Sequence, residues 1–182
     1  MTRIPAIASR ADLAPEHRHV ADDVMAVFGR IRGPFSVLLH SPPLAAALLE
    51  LVKFSRQATI VPGPLRSLAI LAMVRERQSH YVWAAQAAAA QRNGVRQELI
   101  DLLRARADPA QLPAEERDIV LYARSLARTD RADQALFDAL LARHGTQWLV
   151  ELTAMMNFYA LLAGVTNAFD IPAPPDGDRL PA

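Results

Sequence analysis

Apolar residues recur at spacings of three and four along almost the whole chain, and no stretch alternates with period two between turn pairs. That pattern restricts the chain to helices whose apolar stripes face a shared core, joined by short loops marked by Pro and Gly, and it predicts no sheet. At 182 residues the chain is long enough for a sizeable core. The reading is therefore all-α: one domain over residues 1–175, then a flexible tail over 176–182, where the Pro-rich PAPPDGDRLPA cannot continue a helix.

Punctuation places the helices. The first is predicted over Pro15–Arg30, with Val20, Val24, Val27, Phe28 and Ile31 as its stripe and Gly33-Pro34 ending it. A short turn at Phe35–His40 precedes a helix from Pro42 to about Gln57 that Ser41 can cap. Further helices are predicted at Leu65–Arg77, His80–Arg92 with Ser79 as cap and Gly94 as stop, Arg96–Ala105, Ala114–Arg128, Asp133–Arg143 and Gly145–Phe169.

Composition removes several kinds of chemistry. With no cysteine there is no disulfide, thiolate nucleophile or thiolate-bound metal. A formal charge of +1 without a basic amphipathic stripe points away from nucleic acid and membrane surfaces. Asp and Glu enter the N-terminal region before any apolar run of signal length, so a cytoplasmic protein is expected. The most apolar stretch, Leu152–Val165, reads as too short for a membrane span and better as a buried helix. No His-Glu-x-x-His, Gly-x-Ser-x-Gly, phosphate-binding loop or dinucleotide fingerprint is present, so neither metal nor cofactor is expected.

The titrating candidates are the five histidines. His17, His19 and His144 read as exposed. His40 follows Val37-Leu38-Leu39 and either finds a hydrogen bond toward the following cap region or borders a pocket. His80 opens the richest polar-aromatic stretch, Ser79 to Gln86, in which Ser79, Val82 and Gln86 share one helix face with Trp83 at its edge.

Three blocks together resemble a known family: Leu65-Arg66-Ser67-Leu68-Ala69-Ile70-Leu71, then Tyr81-Val82-Trp83-Ala84-Ala85-Gln86, then Ala90 and Gly94. They are similar to the core helix pair of carboxymuconolactone decarboxylase-like and alkylhydroperoxidase D-like proteins, which commonly read R-E-L-A-I-L and Y-E-W-x-x-H. Gly33-Pro34-Phe35 and Leu38 to Pro42 resemble the G-P-F-x-x-L-L-H-S-P segment of one branch, and Glu151 to Phe169 its closing helix. The resemblance implies a helical bundle that assembles with copies of itself as a dimer, trimer or hexamer. It also implies Ser79 and Val82 at the two peroxidase cysteine positions, Gln86 at the His position and Ser67 at the Glu position. None of these four titrates near neutral pH, so the family's proton relay cannot run through them.

Three functions follow as expectations. The first is a cofactor-independent lyase or isomerase acting on a small cyclic or aromatic acid, with His40 or His80 titrating, Tyr81 and Gln86 polarising a carbonyl, and Ser67, Val82 and Trp83 against the substrate. The second is a non-catalytic module that binds a small ligand or copies of itself. The third, residual alkylhydroperoxidase activity, has no thiol to carry electrons.

Overall fold

The computed structural model describes residues 2–181. Among them there are nine α-helices and no strand: α1 (Arg18–Phe28), α2 (Pro34–Leu38), α3 (Pro42–Gln57), α4 (Gly63–Glu76), α5 (His80–Arg92), α6 (Gln97–Arg104), α7 (Ala114–Thr129), α8 (Gln134–His144) and α9 (Thr146–Ala168). The chain groups into two compact units, Met1–Thr59 with Val165–Pro172, and Ile60–Gly164 with Ala173–Ala182.

In the first unit, α1 is shorter than its periodicity suggests. Pro15–His17 forms a 3-10 turn ahead of it, and Gly29, at φ 74°, supplies the left-handed stop four residues before Gly33. Ile31 consequently lies beyond the helix, although it is buried. Pro42 opens α3 as expected, but the Ser41 side chain makes no capping bond.

The second unit is organised around α4, which packs against α5, α6 and α7. Every residue from Ser67 to Arg75 is buried, as expected of a helix that is apolar nearly all round. His80–Arg92 is helical over the predicted span, with the Ser79 hydroxyl accepting from Val82 N at 3.3 Å.

α9 has nearly the span expected for it, Gly145–Phe169, but the apolar stretch within it is longer than Leu152–Val165. At 23 residues, with mean hydropathy 1.4 over its best window, it is long and apolar enough to cross a membrane. Half of that window is nonetheless buried inside the protein: Trp148, Leu152, Met155, Met156, Tyr159 and Ala163 turn inward at three- and four-residue spacing. Tyr122 of α7 shares a hydrogen bond of 2.8 Å with Thr153 on this helix. The pattern is that of a core helix.

The C-terminal segment turns at Pro174–Gly177, where Gly177 N donates to Pro174 O at 3.0 Å, and it is held along α5. A Cβ on Gly177 would lie 2.7 Å from Ala84 Cβ, so the backbone approaches that helix as closely as glycine allows. One residue on, Asp178 accepts from Trp83 Nε1 at 3.0 Å and from Arg104 Nε at 2.8 Å, and Leu180 is buried.

Candidate ligand-binding site

The helix pair α4 and α5 carries most of the residues singled out from sequence. Tyr81, Val82 and Trp83 are buried on α5, and Ser67 is buried on α4. The interior hydroxyls of Ser67 and Ser79 already have structural partners. Ser79 caps α5, and Ser67 Oγ accepts from Asn93 Nδ2 at 2.8 Å. Trp83 has no exposed surface and its ring N–H is taken by Asp178, so it presents no open face to a ligand here. Gln86 is half-buried, and its amide makes no hydrogen bond to any described residue.

The two candidate histidines are not gathered into this interior. His80 is exposed at the first position of α5. His40 belongs to the first unit, where it is exposed and its Nε2 lies 2.8 Å from Pro5 O. The bond expected toward its following cap region is thus made to the N-terminal segment instead. His144, expected in solvent, is stacked on Trp148 with ring centroids 3.8 Å apart and side-chain exposure of 13%.

Sequence reasoning passed over Arg66, although it stands in the quoted motif. This cation is half-buried near the start of α4, and Nη1 donates to Val61 O at 3.0 Å. Burial pulls its pKa below the ordinary arginine value, and the neighbouring Tyr159 works the other way. It stays charged in water at any physiological pH, and among the described residues it forms no ion pair with a carboxylate. An Arg between Leu65 and Leu68, at the start of a helix whose middle, Leu68 to Val74, is wholly apolar, was the available signal. Asn93, which holds Ser67, follows the last residue of α5, and no sequence pattern marks it as a partner.

Against another face of α4, a cleft of about 230 Å³ is lined by Pro64, Leu65, Leu68, Val95 and Leu99, with the Arg96–Glu116 ion pair at 2.7 Å at its wall; Arg66 does not line it. No group of three or more His, Asp or Glu side chains among the described residues could hold a metal ion.

Ser67, Ser79, Val82 and Gln86 thus place only hydroxyl, amide and apolar groups on this helix pair, in a chain with no thiol. No known family profile matches the chain, and no curated protein matches it. Solved structures do. The alkylhydroperoxidase AhpD core of an uncharacterized peroxidase-related protein from Ralstonia eutropha JMP134 superposes with TM-score 0.79 at 18% identity, covering 96% of this chain and 93% of that one. The debrominase Bmp8, in complex with 2,3,4-tribromopyrrole, gives TM-score 0.75 at 19% identity, covering 96% and 94%. Without the ligand, Bmp8 gives 0.74 at 18%. The chain has the alkylhydroperoxidase D-like fold.

Proposed function

We propose that this is a cytoplasmic, thiol-free protein of the alkylhydroperoxidase D-like fold that binds small cyclic or aromatic organic acids beside α4, with Arg66 holding the acid group. The observation that carries the reading is Arg66 itself: a half-buried cation with one backbone partner and no carboxylate. A planar guanidinium pairs best with a carboxylate through two parallel hydrogen bonds, and partial burial strengthens that pairing. A ring-sized ligand agrees with the pyrrole held by the debrominase of the same fold. Binding is favoured over acid–base turnover because Ser67, Ser79, Val82 and Gln86 offer no group that titrates near neutrality.

A second reading, a cofactor-independent lyase or isomerase, is favoured by one observation. The unpaired amide of Gln86 is a donor available to a carbonyl oxygen, with Tyr81 on the same helix and His80 as the titrating group.

Calorimetry with a panel of aromatic acids, lactones, phenols and neutral amides tests both readings. Acids are expected to bind more tightly than neutral analogues of the same ring. Arg66→Gln should weaken acids by about tenfold or more while leaving neutral rings unchanged. Equal binding of acids and neutral analogues, or no effect of Arg66→Gln, overturns the assignment. Conversion of a bound acid, abolished by Gln86→Ala, selects the second reading, and peroxide consumption by the purified protein overturns both in favour of a peroxidase activity that uses no thiol.

Self-association belongs to the same proposal. On α9 the outward positions Val150, Ala154, Asn157, Leu161 and Gly164 follow the four-three spacing of a helix–helix seam, and Val150 and Leu161 are 61% and 46% exposed. A second copy of the chain, packing helix to helix over the small Ala154 and Gly164, would cover them. Light scattering should find a homo-oligomer that Leu161→Arg dissociates; a monomeric wild type refutes this.

A further inference from the structure

Remote from the Arg66 reading in chemistry is a cluster of arginines around one buried carboxylate. It draws on three segments of the second unit: Arg75 and Glu76 at the end of α4, Arg106 in the loop after α6, and Arg124 and Arg128 on α7. The Glu76 side chain is 8% exposed. Arg128 takes both its oxygens, Nε to Oε2 at 3.1 Å and Nη2 to Oε1 at 3.0 Å. Arg106 Nε and Arg124 Nε stand off at 3.7 and 3.8 Å, beyond hydrogen-bond reach. Four guanidiniums against one carboxylate leave three positive charges in excess, or two if the exposed Asp108, which Arg124 feels, is counted.

Part of this arrangement is structural. Arg75 Nε donates to Arg104 O at 2.7 Å, Arg106 Nη2 to Arg75 O at 3.2 Å and Arg124 Nη1 to Ala107 O at 2.9 Å, tying helix ends together. Those bonds leave a remainder. Arg124 is buried to 7% side-chain exposure, yet its Nε and Nη2, together with Arg106 Nε, have no hydrogen-bond partner. Buried donors on a cation are rarely left unmet, because the desolvated charge then goes uncompensated. Burial accordingly pulls the Arg124 pKa below its ordinary value, with Glu76 opposing and Arg128 and Arg106 reinforcing.

We propose that Arg106, Arg124 and Arg128, with Arg75 behind them, form a binding site for a phosphate group. A tetrahedral oxyanion brings acceptor oxygens to Arg124 Nη2 and to the exposed edges of Arg106 and Arg128, while Arg106 Nε and Arg124 Nε stay turned to Glu76. The half-open edge is supplied by Arg106 and Arg128, at 34% and 54% side-chain exposure.

Calorimetry and thermal shift on the full chain, with inorganic phosphate titrated at constant ionic strength against chloride, test the site, and phenyl phosphate serves as a phosphomonoester probe. Saturable binding of one phosphate per chain is expected, with a raised Tm that chloride does not reproduce. Arg106→Gln should weaken phosphate by about tenfold. Since Arg124→Gln removes a buried tie and can cost folding, the partly exposed Arg128→Gln is the second variant, its fold checked by circular dichroism. Arg66→Gln should leave phosphate binding unchanged, which separates this site from the acid-binding proposal. Tighter binding of phenyl phosphate identifies an esterified ligand, and equal or weaker binding identifies free phosphate; both support the site. No saturable binding at millimolar phosphate, an equal response to chloride, or unchanged affinity in Arg106→Gln overturns it.

Discussion

Replacing Asp178 with Ala removes at once the acceptor for Trp83 Nε1 and the carboxylate on which Arg104 closes. Trp83 has no exposed surface, so its ring N–H would be stranded in the core, at a cost of about 1–3 kcal/mol. The charge-assisted bonds to Arg104 contribute about 1.5–3 kcal/mol more when both partners are mostly shielded, and here their side chains are 26% and 22% exposed. The two losses overlap, because Arg104 retains Asp101 as a partner, and the net expectation is about 3 kcal/mol. For a chain of this size that lowers Tm by about 6–12 °C. Urea unfolding followed by tryptophan fluorescence reads the change, with Asp176→Ala, an exposed neighbour on the same segment, as the silent control. A loss below about 0.5 kcal/mol for Asp178→Ala would refute the view that the C-terminal segment is bound along α5.

Other perturbations follow from the same contacts. Gly177→Ala sets a methyl 2.7 Å from Ala84 Cβ and should weaken the segment comparably to Asp178→Ala; adding Ala84→Gly should relieve the clash at a helix cost of about 1 kcal/mol, and failure of this rescue in the same unfolding assay would place the strain elsewhere. His144 is held below its ordinary pKa by burial, with Glu115 opposing and Arg143 reinforcing, so the folded state prefers the neutral ring. The unfolded chain therefore takes the proton first: the contribution of His144 is full above its unfolded value of about 6.5 and is lost as pH falls toward the lower folded value. Urea midpoints should fall more for wild type than for His144→Phe between about pH 7.5 and 5.5, and parallel falls would contradict it. Tyr122→Phe, which removes the 2.8 Å bond to Thr153, should cost about 1 kcal/mol by denaturant titration without changing ligand binding.

How far the sequence foretold these features depends on the range of the forces involved. Helices bounded by Pro and Gly came through within a few residues, because a missing N–H or a left-handed φ acts locally; α5 matched its predicted span. α9 likewise runs over Thr146–Ala168, within one residue of its expected start at Gly145 and end at Phe169. The residues of the helix pair were legible as a motif, but their states were not. That Ser67 is met by Asn93, 26 positions away, and Trp83 by Asp178, 95 away, is settled by tertiary packing. The Glu76 cluster shows the same limit: its arginines are scattered over more than fifty positions and carry no local pattern.

The placement of α4 has a physical account that needs no thiol. That helix is buried from Ser67 to Arg75, and Leu68 through Val74 are all apolar, so its place is held largely by buried apolar area. A Glu at position 67 would need a charged or protonated partner in that interior, whereas Ser needs one donor and finds it in Asn93. Ser79 likewise meets its requirement by capping α5. Substituting Ser67 by Glu should therefore destabilise this chain by several kcal/mol rather than restore a relay, because no titrating partner stands at Gln86 to share the proton. Retained stability together with a raised carboxyl pKa in Ser67→Glu, followed by isotope-edited infrared titration, would show instead that the interior still accommodates an acid.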